Sequence, residues 1–138
     1  VTHDREEAFS LSDKIAVMNH GKIVQYDTPE NLYFEPKNRF AAEFSGASNF
    51  ILQDGKTFLV RPDWFSLASR NLDSAESKNK KLISGKIISS SFLGSRVEYK
   101  VQTESQILTV NFESIEKRLE IFQTVSLCIL KMVEIKSN

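Results

Sequence analysis

Hydrophobic and polar positions are arranged in two different ways along this chain. In the first third, short apolar groups are separated by residues that form turns or cap helices. In the remainder, β-branched and aromatic residues dominate longer stretches, and residues 96–102 alternate polar and apolar positions without a break. Strict alternation is typical of a strand with one solvated face. The pattern therefore predicts a mostly β protein with short helices near its start, an α+β fold.

The first third carries the signals of a helix followed by a β-hairpin. A helix is expected to begin at Asp4, whose side chain can cap it, and two glutamates follow in the first turn, where the helix dipole favours negative charge. Residues 15–18 and 23–26 are strands by composition, and Gly21 in the turn between them can take a positive φ. A hairpin is therefore expected over 15–26.

Two further helices are expected before residue 46. Thr28 can cap the first of them, and Pro29 at its first position loses no hydrogen bond. The second covers roughly residues 39–44 and should stop at Gly46.

The remainder of the chain predicts a small barrel or sandwich of short strands. Strands are expected over residues 58–60, 83–93, 96–102, 107–112 and 125–135. Asp63 is expected to cap a short helical turn that carries Trp64, Phe65 and Leu67, and the serines 89–91 to break the second strand. The last strand is apolar on both faces and should be central. The polar stretch 71–81 should form an exposed loop.

Composition and charge exclude several classes of protein. Among the 138 residues, 18 are basic and 18 are acidic, so net charge gives no reason to expect binding to nucleic acid or to an anionic membrane. The apolar share of 41% is that of an ordinary globular protein. A single cysteine, Cys128, cannot form an internal disulfide, and it is expected to be a buried apolar filler.

The motifs of the first third occur in the order and spacing of one family. They are Thr2-His3-Asp4, Glu6-Glu7-Ala8, Leu11-Ser12-Asp13, Ile15, Val17-Met18, Gly21-Lys22-Ile23, Gln25, Thr28-Pro29, Tyr33, Pro36, Phe40, Phe44, Gly46 and Asn49. Residues 1–49 therefore resemble the C-terminal end of the ATP-binding subunit of an ABC (ATP-binding-cassette) import transporter. One departure is Asp27, where the family usually has glycine; aspartate tolerates turn or left-handed geometry, so the exchange should be tolerated.

The strands that follow resemble a TOBE domain, the OB-like β-barrel or sandwich that follows the nucleotide-binding domain in many import ATPases. The similarity is carried by Val60-Arg61-Pro62-Asp63, Gly85, Ile87, Phe92-Leu93-Gly94, Val97 and the closing strand. The two resemblances divide the chain into residues 1–46, the tail of a nucleotide-binding domain, and residues 47–138, a TOBE-like β domain.

The resemblance implies one catalytic residue, His3, the histidine of the H-loop. Its imidazole would contact the γ-phosphate of ATP, with Mg²⁺ also present, in the whole protein. The phosphate-binding loop, the magnesium-binding strand and the signature motif of such ATPases do not occur in this sequence. The chain alone is therefore expected neither to bind nor to hydrolyse ATP, to hold no metal, and to be a piece of a longer protein.

Partners and location are likewise implied by the resemblance. They are a second ATPase subunit in a homodimer, transmembrane permease subunits, a small ligand or regulator at the TOBE-like domain, and no nucleic acid. The protein would be cytoplasmic and peripheral on the inner face of a prokaryotic plasma membrane. The related importers take up polyamines, ferric iron or sugars. Because the hairpin and helices of residues 1–50 would expose apolar faces, we expect dimerisation through them, or disorder near the N-terminus.

Two alternative functions remain open. The first is a stand-alone OB-like module for a small oxyanion, for which Lys78, Lys80, Lys81 and Lys86 supply basic charge. The second is an independent enzyme that uses His3 and Asp4, although no nucleophile or second base accompanies them at recognisable spacing.

Overall fold

The computed structural model describes residues 5–68 and 81–136. The chain divides into two compact units: the first comprises Val1–Leu59 with Val133–Asn138, and the second comprises Val60–Met132. Strands are the main elements of both, which confirms the mostly β, α+β fold class. The boundary predicted near residue 46 separates the tail of a nucleotide-binding domain from a TOBE-like domain. It does not coincide with the division between the compact units, and it stays a prediction.

Thirteen elements follow one another along the described residues. They are α1 (Arg5–Leu11), β1 (Ile15–Asn19), β2 (Lys22–Asp27), α2 (Pro29–Phe34), α3 (Arg39–Ser45), β3 (Asn49–Gln53), β4 (Lys56–Val60), β5 (Phe65–Leu67), β6 (Leu82–Phe92), β7 (Arg96–Gln102), β8 (Ile107–Glu113), β9 (Thr124–Ile129) and β10 (Val133–Ile135).

Two tight hairpins shape the first unit. β1 and β2 form a two-stranded antiparallel sheet, and β3 and β4 belong to a three-stranded sheet of order β10-β4-β3. Each hairpin turn has two central residues with positive φ, His20-Gly21 in one and Asp54-Gly55 in the other. This is the backbone that a type I′ turn requires. The first hairpin is confirmed, whereas the second was not expected, although Asp-Gly is a strong hairpin signal.

Side-chain caps fix the two helices between these hairpins. Thr28 accepts a hydrogen bond from the Asn31 amide at 3.2 Å, and Asn38 accepts one from the Ala41 amide at 2.9 Å. The Ser45 hydroxyl lies 2.9 Å from the carbonyl oxygen of Leu32 and 2.8 Å from that of Ala41, within donating distance of both α2 and α3. Both helices are confirmed where the sequence placed them, because their start signals are local.

The second unit is a five-stranded antiparallel sheet of order β5-β9-β6-β7-β8. Its central strand β6 runs through the three serines without a break, and a register shift between Ile87 and Ser89 marks a bulge instead. The sheet curls into a half-barrel. The amide of Asn111 on the edge strand β8 donates to the carbonyl of Pro62, just before the opposite edge strand, at 2.8 Å.

The inward side chains of this sheet form a dense core. Tyr99 lies within it and accepts a hydrogen bond from the Leu119 amide at 3.0 Å through its hydroxyl. The buried apolar side chains of the sheet include Phe65, Leu67, Ile87, Val97, Val101, Leu108, Val110, Val125, Leu127, Cys128 and Ile129.

Two further expectations about the strands were wrong. Residues 65–67 form an edge strand instead of a helical turn, because Phe65 and Leu67 pair with the open edge of β9 and the Leu130 amide donates to the carbonyl of Trp64. Residues 125–135 are not one strand: β9 ends at Ile129 and lies inside the sheet, between β5 and β6, whereas β10 pairs with β4 in the other sheet. The predicted loop 71–81 lies outside the described residues, except Lys81.

Candidate functional site

The residue that the sequence ties to catalysis, His3, lies outside the described residues, as does Asp4. The structure begins with α1, directly after them. This helix has Glu6 and Glu7 exposed in its first turn, as expected, and it buries none of its residues. The contact between His3 and a γ-phosphate therefore stays a prediction.

A buried glutamine organises the chain downstream of the hairpin. Gln25, only 2% exposed, lies on β2. Its Oε1 accepts a hydrogen bond from the Lys37 amide at 2.9 Å, while its Nε2 lies 3.3 Å from Asp27 Oδ2 and 3.5 Å from the carbonyl of Glu35. One side-chain amide thus ties β2 to the segment between α2 and α3. Its position on a strand gave no signal of this role in the sequence.

Asp27, the departure from the family pattern, forms local hydrogen bonds. Its Oδ1 accepts hydrogen bonds from Asn31 Nδ2 and from the Thr28 amide, each at 2.9 Å. These bonds, the Asn31 bond foremost, hold the pKa of the carboxyl below its usual value. Asp27 ends a strand and is not among the residues with positive φ, so left-handed geometry is not the reason for its tolerance. Its carboxylate instead stabilises the start of α2.

One face of the β1–β2 hairpin is apolar and exposed. Ala16 pairs with Tyr26 and Met18 pairs with Ile23 on this face. Met18 is 57% exposed, Ile23 61% and Tyr26 60%. The opposite face carries the buried Val17 and Gln25. The exposed face agrees with the expectation that residues 1–50 present apolar surface, and dimerisation through them stays a prediction.

The second histidine, the cysteine and three aromatic residues could also take part in a site. His20 is exposed in its turn, and Cys128 is buried. Trp64 and Phe65 are buried, whereas Phe92 is exposed with the Arg118 guanidinium 6.0 Å from its ring centre. These three aromatic side chains therefore do not form an exposed stacking platform.

The lysines offered for an oxyanion are only partly described. Lys81 and Lys86 are exposed, and Lys78 and Lys80 lie outside the described residues. Within residues 5–68 and 81–136, no three His, Cys, Asp or Glu side chains come together in a way that could hold a metal ion. None of the helices in this part of the chain is long and apolar enough to cross a membrane.

Comparison with known proteins supplies the family. No family model matches the chain. The spermidine/putrescine import ATP-binding protein PotA of Onion yellows phytoplasma is 40% identical over 128 residues, which cover 80% of this chain and 31% of that protein. The chain is homologous to the ATP-binding subunits of ABC importers. Its sequence fits their C-terminal part.

Two further relatives extend this result to other bacteria and another importer. PotA of Mycoplasma capricolum is 33% identical over 144 residues, covering 88% of this chain and 41% of the relative. The Fe(3+) ions import ATP-binding protein FbpC of Rhizobium etli is 32% identical over 139 residues, covering 86% of this chain and 39% of the relative. The chain thus spans less than half the length of these importer subunits.

Proposed function

We propose that this chain is the C-terminal region of the ATP-hydrolysing subunit of an ABC importer, which couples ATP hydrolysis to solute uptake. The observation that carries the proposal is the 40% identity to an import ATP-binding protein across 80% of the chain. In this proposal ATP and Mg²⁺ are bound mainly by the region of the relatives that this chain does not span. The chain contributes the histidine of the Thr2-His3-Asp4 motif.

His3 would act on the charge that develops at the γ-phosphate. During phosphoryl transfer, negative charge on the phosphoryl oxygens is stabilised by donors that are already in place. A neutral imidazole supplies one N–H donor, and it can also orient the attacking water. Removing a single donor of this kind typically costs roughly 2.7–4 kcal/mol of transition-state stabilisation.

The TOBE-like residues would provide a rigid surface for regulation and dimerisation. The curled sheet of the second unit has a continuous apolar core and a hydrogen bond between its edge strand and the segment that precedes the other edge. A stiff, nearly closed sheet presents fixed surface to a partner. The partners proposed for it are a second ATPase subunit and a regulator or small ligand. Permease subunits would hold the assembly, cytoplasmic and peripheral, at the inner face of the plasma membrane.

The solute proposed for the importer is a polyamine. This choice rests on relatives such as the phytoplasma and Mycoplasma capricolum proteins, which are spermidine/putrescine import ATP-binding proteins. Ferric iron is the second candidate, because the Rhizobium etli relative is an Fe(3+) importer subunit.

A chimera tests the proposal. The matching region of the phytoplasma PotA is replaced by this chain, and Mg-ATP binding, steady-state hydrolysis and ATP-dependent dimerisation are measured beside the unmodified relative. We expect the chimera to bind ATP, dimerise on binding it and hydrolyse it. A folded chimera that binds ATP as tightly as the unmodified relative, but neither dimerises nor hydrolyses, would overturn the proposal.

A further inference from the structure

A basic groove lies in the first unit, on the side where β4 and β10 meet the start of α3. Its charged walls are Arg39, Lys56, Lys136 and Glu134, and its volume is about 460 Å³. Sites for small molecules commonly have volumes of about 300–1,000 Å³. The groove is therefore large enough for a small organic ligand, and far larger than a single inorganic ion needs.

Backbone hydrogen bonds hold the walls of the basic groove in place. On its floor, Thr57 of β4 pairs with Ile135 of β10. The amide of Lys136 donates to the carbonyl of Lys37 at 3.2 Å, which links the end of β10 to the residues before α3. Arg39 begins α3, Lys56 begins β4 and Lys136 directly follows β10, and main-chain hydrogen bonds join these three segments.

Two contacts within the protein fix the position of the Arg39 guanidinium. Its centre lies 4.3 Å from the centre of the Phe50 ring, and its Nε donates to Glu43 Oε1 at 2.9 Å. Both partners of this ion pair are more than half exposed, at 59% and 57%, so the pair itself contributes little to stability. Stacking on an aromatic ring holds the guanidinium plane and leaves terminal N–H groups that suit the two oxygens of a phosphate.

The groove carries an excess of positive charge. Three cations face one carboxylate, and Lys56 Nζ lies 4.0 Å from Glu134 Oε2, at the outer limit of an ion pair. Because Arg39 also pairs with Glu43, the net excess is one positive charge, which favours an anionic ligand. A phosphate monoester carries about −1.5 to −2 at neutral pH, because its second pKa is near 6.

We propose that the basic groove is a binding site for a small phosphorylated metabolite, with the phosphate held between Arg39, Lys56 and Lys136. The organic part would lie against Thr57 and the Gly55 turn, where the backbone has no Cβ to exclude it. This step rests on the proposed function: occupancy of the groove would let the level of a metabolite influence the importer subunit.

A titration of the 138-residue chain tests the site. Backbone amide NMR spectra are recorded while inorganic phosphate, glucose 6-phosphate or succinate is added as the probe. We expect saturable shifts confined to the amides of residues 39, 55–57 and 134–136. Glucose 6-phosphate should bind more tightly than inorganic phosphate, and succinate, a dianion without phosphate, at least about tenfold more weakly than glucose 6-phosphate. Shifts that do not saturate, or that spread over all basic residues, would overturn the proposal.

Two variants distinguish binding in the basic groove from nonspecific attraction to positive charge. Arg39→Gln combined with Lys56→Gln should weaken glucose 6-phosphate binding by at least about tenfold, because charge-assisted hydrogen bonds to the phosphate are lost. Lys22→Gln is the matched control: it removes an exposed cation of β2, in the same unit but outside the groove. Its affinity should equal that of the unsubstituted chain. Equal weakening by the double variant and the control would refute the site.

Discussion

The two compact units reach stability by different routes. The second unit is a single curled sheet whose alternating side chains fill one core, from Phe65 at one edge strand to Val110 at the other. The first unit buries a smaller apolar set, including Val17, Leu32 and Leu59, and adds helix caps, two tight turns and the buried amide of Gln25. It leaves an apolar face of its hairpin exposed. The fold of the second unit is specified by alternating buried side chains along its strands. The fold of the first unit depends more on individual caps and turns. The second unit should therefore be the more self-sufficient of the two.

The largest effect is expected from the core of the second unit. Leu127→Ala removes a side chain that is 0% exposed in the inner strand β9. We expect a loss of about 2–5 kcal/mol in the free energy of unfolding, because a cavity is left in a packed core. Urea denaturation measures it. Leu130→Ala, at a position 42% exposed, is the matched control and should cost much less. Equal losses would show that the sheet has no tightly packed core.

Gly85 tests how closely two strands of the same sheet approach. A Cβ at this position would lie 2.5 Å from Val101 Cγ1 and 2.9 Å from the carbonyl oxygen of Gln102. Gly85→Ala should therefore destabilise the protein by about 1–3 kcal/mol through overpacking. Combining it with Val101→Ala should cost less than the sum of the two single losses, because one of the two clashes disappears. Full additivity of the two losses in urea denaturation would contradict the close approach.

The helix caps test the local character of the first unit. Thr28→Ala or Asn38→Ala should each cost about 1 kcal/mol, because an amide in the first turn of the helix loses its acceptor. Hydrogen exchange should locate the loss in α2 or α3 and leave amides of the second unit unchanged. Thr28→Ser keeps the hydroxyl and serves as the control. An equal increase in exchange across both units would mean that the first unit has no local stability of its own.

The smallest expected effect on stability comes from protonation of the Asp27 carboxylate at acidic pH. The folded-state pKa of this carboxyl is lowered, so the stability it contributes is fully present above its unfolded pKa of about 3.9 and is lost as the pH falls through the folded pKa. Asp27→Asn should therefore flatten the acid limb of the stability curve below about pH 4. Thermal unfolding of both proteins between neutral and acidic pH measures this. Identical acid limbs would show that the Asn31 and Thr28 bonds do not matter for stability.

The sequence predicted the elements whose signals are short. Thr28-Pro29 and Gly21 marked a helix and a hairpin, and the alternation over residues 96–102 marked β7. The β3–β4 hairpin was not predicted, although Asp54-Gly55 is a typical hairpin-turn sequence. The division between β9 and β10 could not be predicted, because apolar residues continue across it and only the partner strand changes.

The two candidate sites, the histidine motif and the basic groove, also differ in how far the sequence could predict them. The histidine motif is continuous in sequence, so a family resemblance could find it. The basic groove draws Arg39, Lys56 and Lys136 from elements far apart in the chain, and no spacing rule connects them. Tertiary structure alone brings these side chains together, which is why no pattern in the sequence pointed to the groove.

His3 offers the most direct test of the proposed function. In the chimera with the phytoplasma importer subunit, His3→Ala should lower the single-turnover rate of ATP hydrolysis by a factor on the order of 10²–10³, with Mg-ATP binding retained. His20→Ala, at the exposed hairpin turn, should hydrolyse ATP at the unsubstituted rate. A His3→Ala chimera that hydrolyses ATP as fast as the unsubstituted one would contradict the assignment of this chain to the catalytic machinery of an import ATPase.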